Sequence, residues 1–321
     1  MSAKSNTSKV VRDGVSLAYH EAGAGDRSPI LFVHGFGCSG NHLRFQQQHF
    51  AASTRTVAVD LRGHGASDAP LQEYDPIGFA DDLRWLCDCL GLERPIVVGH
   101  SMGGNIALKL AVRAPEFVKA IVMIDTFVDG DSSFVQGLRE LSDNLEAIGG
   151  SSQLFETLSA MLFLPSDDPD VRKDVLEQCA RTPWHVLKSA FAAHLLRGSS
   201  VADLQQLTIP AAYIGADGLP TEIWRVEGIN PRVSTGKTVG VGHFSPLLAP
   251  DQVNAMLGTF VDRVERIRGF RLRRNSRPPT WRAHTRTPLT VSAARQCGRR
   301  NLLCRQERQV AQASTTLAGR L

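Results

Sequence analysis

With 321 residues and 42% apolar content, the chain can bury the core of one large α/β domain or two modest ones. It contains no apolar run of the roughly eighteen residues that a spanning helix needs, and its opening MSAKSNTSKVVRDG offers no signal-peptide core. A cytoplasmic globular protein without a membrane span is therefore expected. Its net charge of +4 is unevenly spread: residues 269–321 hold twelve Arg, no Lys and the single acid Glu307, a net of +11 that leaves −7 for the rest, so the core has no electrostatic reason to bind nucleic acid or an anionic membrane.

Short β-rich runs appear in chain order at Val15–Tyr19, Ile30–Val33, Thr56–Val59, Ile96–Val98, Ala120–Ile124, Ala211–Ile214 and Ser234–Val239. Amphipathic helical patterns lie between most of them, at Pro76–Leu90, Asn105–Arg113 and Pro250–Ile267. Such alternation predicts an α/β fold with a mostly parallel central sheet flanked by helices. About eighty residues between Ile124 and Ile209 lack a strand, too long a gap for a loop in a compact domain. Helical stretches at Ser133–Ile148, Gln153–Leu162, Val171–Cys179 and Trp184–Leu196 fill it, which predicts an inserted helical cap. The expected organisation is a core of residues 1–126 and 209–268, a cap of 127–208 and a disordered Arg-rich tail of 269–321.

The six cysteines, Cys38, Cys87, Cys89, Cys179, Cys297 and Cys304, show no metal-ligand spacing. Free thiols are expected, with no bound metal. No phosphate-cradling glycine motif or zinc signature occurs, so no cofactor is expected either.

The main chemical signal is Gly99-His100-Ser101-Met102-Gly103-Gly104, between an apolar strand and a helical run. A Ser on such a turn is held strained with Oγ exposed, and small residues two before and two after it let the backbone close. The helix that begins there aims unpaired N–H groups at any oxyanion formed nearby. A second donor must come from another loop, and His34-Gly35-Phe36-Gly37 directly follows the strand ending at Val33. The amides of Phe36 and Met102 are the expected oxyanion donors. His243, in Gly240-Val241-Gly242-His243-Phe244 after the last strand, is the expected base. Of the other histidines, His185 and His194 fall in the cap and His284 in the tail, His34 and His64 belong to glycine turns, and His100 is expected to point away from the site.

With HGFG, GHSMGG and the turn Asp60-Leu61-Arg62-Gly63-His64-Gly65-Ala66-Ser67 together, the chain from about Val10 to Ile267 resembles the α/β-hydrolase superfamily, in its capped serine hydrolase branch. The resemblance implies an α/β-hydrolase fold and a Ser-acid-His order. In that family the acid usually follows the strand after the cap, where this chain reads Ala211-Ala212-Tyr213-Ile214-Gly215-Ala216-Asp217-Gly218, with Gly218 at the customary position of the carboxylate. Asp217 is the preferred acid. Its rival is Asp125, ending Val122-Met123-Ile124-Asp125, because some relatives take their acid from the preceding strand.

The expected activity is hydrolysis of a carboxylic ester or lactone through an acyl-enzyme. Relatives that open epoxides or displace halide carry Asp in place of Ser101. The alternatives are a C–C bond hydrolase, a cofactor-free perhydrolase, or a ligand-sensing receptor or regulator that keeps the triad; a catalytically dead interaction protein fits the intact Ser and His less well. Phe134, Phe155, Met161, Leu162, Phe163, Trp184 and Phe191 are candidates for an apolar substrate wall, and Arg181 and Lys188 for a carboxylate clamp. The expected partner is a small acyl or carbonyl compound, and oligomeric state is not readable.

Overall fold

The computed structural model describes residues 7–128, 133–197, 201–218 and 223–274. An eight-stranded sheet runs in the order β1-β2-β4-β3-β5-β6-β7-β8, with β1 Thr7–Arg12, β2 Val15–Ala22, β3 Ile30–Val33, β4 Thr56–Val59, β5 Ile96–His100, β6 Ala120–Ile124, β7 Ala211–Gly215 and β8 Val233–Lys237. The β1–β2 and β2–β4 pairs are antiparallel and all others parallel. Strand β1 has no counterpart among the runs read from the sequence. It buries only Val10, and it is paired through a hairpin whose Asp13 and Gly14 both take positive φ, 52° and 81°, as a two-residue turn between twisted strands requires.

The helices are α1 Arg44–Ala51, α2 Pro76–Leu90, α3 Met102–Arg113, α4 Ser133–Asp143, α5 Leu145–Ile148, α6 Ser151–Leu162, α7 Pro169–Cys179, α8 Trp184–Arg197, α9 Val201–Gln206, α10 Ile223–Ile229, α11 Ser245–Leu248 and α12 Pro250–Arg274. The start of α2 is fixed by Asp75, whose carboxylate accepts from the amides of Ile77 and Gly78, and by Pro76 at its first position; Gly91 at φ 62° ends it. Helix α12 runs six residues into the expected tail (from 269 to Arg274). Residues 275–321 of that tail lie outside the described residues, as do Cys297 and Cys304.

Every residue of β3, β4, β5, β6 and β7 is buried, because the sheet is covered on both faces. Side chains alternate across it as the pleat dictates. Leu31, Val33, Val97, Ile121 and Met123 join Phe79, Leu83 and Leu86 of α2 and Ile106 and Leu110 of α3 on one face. Ile30, Phe32, Val98, Val122 and Ile124 meet Phe50 of α1 and Val253, Leu257 and Val261 of α12 on the other. The helices α4 to α9, between β6 and β7, carry their own apolar cluster: Leu154, Phe155, Leu158, Val175, Leu187 and Phe191 pack with Cys38 and Phe244 of the sheet's loops.

Chain direction reverses across the sheet at β3. From β3 the chain moves outward to β4, then returns past β3 to β5. A crevice at the carboxyl ends of β3 and β5 is the consequence, and it is where open parallel sheets hold their sites.

Candidate active site

Ser101 follows β5 directly and stands at the start of α3 with φ 54° and ψ −121°, a region that costs a side-chain-bearing residue about 1–3 kcal/mol. Neighbouring strands hold it there. Its amide donates to the Ile124 carbonyl at 2.8 Å, and its own carbonyl accepts from Thr126 Oγ1 at 3.1 Å. The turn closes only because Gly103 lacks a side chain: a Cβ there would sit 2.2 Å from the Val33 carbonyl oxygen. Met102 is the first helical residue, so no carbonyl one turn earlier can accept its N–H.

The loop after β3 brings Phe36 to the same cavity. His34 fixes this loop. The Leu61 amide donates to His34 Nε2 at 3.0 Å, which leaves the proton on Nδ1 to be given to the Gly35 carbonyl at 2.8 Å. Burial, reinforced by His64, drives the His34 pKa well below its ordinary value, so the ring stays neutral. Asp60 holds the loop from the other side, accepting from the amides of Gly40 at 2.7 Å and Ala66 at 2.8 Å. The turn Asp60–Ser67 is thus a brace. Among the described residues, neither the Phe36 nor the Met102 amide donates to another backbone carbonyl.

His243 is buried at the same cavity, and its Nδ1 lies 2.8 Å from Asp125 Oδ2. Asp125 is held in turn: its amide donates to the Ile214 carbonyl at 2.7 Å and its Oδ1 accepts from the Ala216 amide at 3.1 Å. Like Ser101, Asp125 takes a positive φ, 44°, in the turn that ends β6. The His243 amide donates to the Leu162 carbonyl at 2.9 Å and that of Gly242 to Asp167 Oδ1 at 3.1 Å, so the loop bearing His243 is sutured to the helical insertion.

Asp217, the acid preferred from the sequence, does not meet His243. It faces solvent, where its Oδ1 pairs with Lys237 at 2.7 Å and its Oδ2 accepts from the Gly240 amide at 2.8 Å. Lys237 and that amide lower its pKa. The correction has a physical cause: β6 pairs with β5, and the Ile124 carbonyl accepts from the Ser101 amide, so the end of β6 opens beside the Ser101 turn, while Asp217 is drawn to Lys237 and Gly240 on the far side of β7 from β6. Glycine at 218, where the family customarily carries the acid, was the sequence signal that pointed away from this loop.

Two other histidines depart from expectation. His100 lines the cavity, donating from Nε2 to the His243 carbonyl at 2.9 Å with the two rings 4.6 Å apart; burial and the neighbouring His243 hold its pKa well down. His194, set aside as a cap residue, also lines the cavity. Asn105 Nδ2 donates to its Nε2 at 3.2 Å, which leaves the proton on Nδ1, a buried atom without a partner. Burial lowers the His194 pKa to about 4, so near neutral pH it presents an uncharged N–H donor.

The cavity is narrow, about 70 Å³. Of the expected wall residues, Phe155, Met161, Leu162 and Phe191 line it. Phe163 instead stacks on Phe244 at 5.0 Å, and Trp184 packs nearby with Lys188 6.0 Å from its ring centre. The side chain of Phe134 lies outside the described residues. Neither proposed clamp is in the lining: Arg181 is absent from it and Lys188 is paired with Glu146 at 2.7 Å. Cys38, also in the lining, sits 3.7 Å from Cys179, sulfur to sulfur. That contact lowers the Cys38 thiol well below its ordinary value against the effect of burial, and together with burial raises Cys179 well above.

Comparison with known proteins agrees with this architecture. A curated relative, the 2-(acetamidomethylene)succinate hydrolase of Mesorhizobium japonicum, is 26% identical over 267 residues, 77% of this chain and 92% of that protein. Epoxide hydrolases of Homo sapiens and Xenopus tropicalis match over 113 residues only, so this chain spans 31% of their length. Among solved structures, a thermophilic esterase from Thermogutta terrifontis is similar with TM-score 0.72 at 23% identity, covering 81% of this chain and 99% of that one. The enol-lactonase from Burkholderia xenovorans is similar with TM-score 0.71 at 19% identity, covering 79% and 99%. No helix among the described residues is long and apolar enough to cross a membrane. A sequence model of the alpha/beta hydrolase fold matches residues 28–211, and with the sheet order and the turn at Ser101 this establishes that the chain belongs to the α/β-hydrolase family.

Proposed function

We propose that the chain hydrolyses a small, uncharged carboxylic ester or lactone by way of a Ser101 acyl-enzyme. The observation that carries this reading is the meeting of a strained Ser101 with His243, itself bonded to Asp125 at 2.8 Å, in one apolar cavity. His243 takes the Ser101 Oγ proton onto Nε2 while Asp125 holds Nδ1–H and stabilises the imidazolium. The alkoxide attacks the carbonyl carbon, and the amides of Phe36 and Met102 receive the negative charge on its oxygen. His243 then protonates the leaving alcohol. Water activated by the same ring frees the acid.

Helices α4 to α9 act as the cap, with Phe155, Met161, Leu162 and Phe191 as the substrate's apolar surroundings. No Arg or Lys occurs in the described lining, which supports a neutral substrate, because an unpaired carboxylate there would be desolvated without compensation. His194, a lining residue whose Nδ1 is buried without a partner, suits a second substrate oxygen, such as a lactone ring oxygen or an ether or carbonyl beside the ester.

The test is turnover of p-nitrophenyl acetate and butyrate and of a lactone panel by wild type and Ser101→Ala. Steady multiple turnover should fall by about 10⁴-fold or more on loss of the hydroxyl. Equal inertness of both proteins across the panel rejects the ester and lactone reading and leaves ligand sensing to be sought by direct binding.

A further inference from the structure

Cys38, His42 and Cys179 bring one donor atom each to within 4.8 Å of the other two, and all three residues are buried. Cys38 and His42 flank the short turn after β3, and Cys179 ends α7, so the cluster lies in the seam between the sheet's loop and the helical insertion. The same seam is tied by Thr182 Oγ1, which donates to the Gly37 carbonyl at 3.0 Å. We propose that this cluster is a zinc site, independent of the hydrolytic centre's chemistry and placed beside it.

Geometry supports the assignment first. With Zn–S bonds of about 2.3 Å, the edge of a tetrahedron between two thiolates is about 3.8 Å; the observed sulfur separation is 3.7 Å. A disulfide would need closure to about 2.05 Å. The histidine supports it second. His42 Nδ1 lies 3.2 Å from the Ser39 amide and 3.3 Å from the Ser39 carbonyl, while its Nε2 is buried with no partner, so Nε2 is the ring atom placed to ligate once the ring proton moves to Nδ1. In that tautomer Nδ1–H donates to the Ser39 carbonyl while Nε2 ligates, the usual arrangement of a zinc-bound histidine.

Charge supports it third. Binding releases one proton from each thiol, and two thiolates with a neutral imidazole around Zn²⁺ sum to zero, the arrangement a buried site tolerates. Two cysteines and one histidine leave a fourth position open. Cys38 also lines the cavity beside Ser101, which gives the ion a route in and water a place to complete the shell. Bound metal would lock α7 to the loop that carries Phe36.

The experiment uses the full chain, reduced, treated with chelator and titrated with Co²⁺, then Zn²⁺. The expected result is one equivalent of cobalt with a thiolate-to-cobalt charge-transfer band, displaced by zinc, together with a zinc-dependent rise in Tm and protection of both thiols from alkylation. Cys179→Ser should weaken binding by about 100-fold or more, and Cys87→Ala should leave it unchanged. Absence of the band from wild type, or an equal band in a Cys38→Ser/Cys179→Ser double variant, overturns the site. So does a denatured mass two hydrogen atoms lower than that of the reduced chain, since a disulfide would then occupy the sulfurs. None of these readouts depends on esterase activity.

Discussion

His243 Nδ1 and Asp125 Oδ2 lie 2.8 Å apart although 118 residues separate them in the chain, and the bond fixes which face of the imidazole is left for Ser101. In the proposed mechanism, Asp125→Asn removes the acceptor and favours the wrong tautomer. We expect kcat on p-nitrophenyl acetate to fall by about 10³–10⁴-fold. Asp217→Asn, which loosens only the solvent-side staple to Lys237 and Gly240, should cost less than about threefold. A larger loss at Asp217 than at Asp125 would contradict the assignment.

In the proposed mechanism His194 reads a second substrate oxygen. His194→Phe should raise KM by about 10-fold for lactones or alkoxy-substituted esters, whose oxygen then loses a donor. It should leave simple butyrate esters nearly unaffected, so the comparison of the two substrate sets separates recognition from general damage to the cap.

The buried histidines also set a pH dependence of stability. His34, His64, His100 and His194 all have pKa values lowered by burial, so as pH drops below about 6.5 the unfolded chain takes up protons that the folded one refuses. Stability is lost over that interval, down to about pH 4 for His194. For His42, burial is outweighed by Cys38 and the pKa is raised, so one residue opposes four. Thermal denaturation should show Tm falling by about 5 °C or more between pH 7 and pH 5, with a shallower slope in His194→Phe; a flat profile is the contrary result.

Gly103→Ala tests the backbone of the nucleophile turn. The added Cβ would stand 2.2 Å from the Val33 carbonyl and 2.5 Å from that of His34, and backbone at the end of the buried strand β3 cannot yield cheaply. A loss of about 3 kcal/mol is expected in urea denaturation. Gly137→Ala, with nothing within 4 Å of its Cβ, should be neutral or stabilising.

What was legible in the sequence was what local chemistry specifies. Pro76–Leu90 reads correctly because an N-cap aspartate, a first-turn proline and a terminal glycine bound it, and the strand-to-helix turn at Ser101 because its glycine frame is packed into contiguous residues. Helix α1 escaped because its sequence RFQQQHFA has little apolar pattern; it is seated by tertiary bonds, Gln46 Nε2 to the Pro246 carbonyl and Gln47 Nε2 to that of His20. Asp125 was named only as the rival of Asp217, because register across the sheet, not spacing along the chain, decides which carboxylate reaches His243. The Cys38–Cys179 contact joins residues 141 apart, where no spacing rule applies.

Ser101 and Asp125 directly follow the adjacent strands β5 and β6, with His100 paired to Ile124, so the proposed nucleophile and acid are delivered by one contiguous strand-helix-strand unit at the centre of the sheet. His243 alone arrives from beyond β8, the sheet's edge, on a loop tethered by Asp167, Leu162 and the outlying Asp217. Opening that edge costs less than dismantling the centre. In the proposed mechanism the enzyme therefore loses its base before it loses its fold: on heating, inactivation should run ahead of the helical circular dichroism signal and, until the centre melts, reverse on cooling.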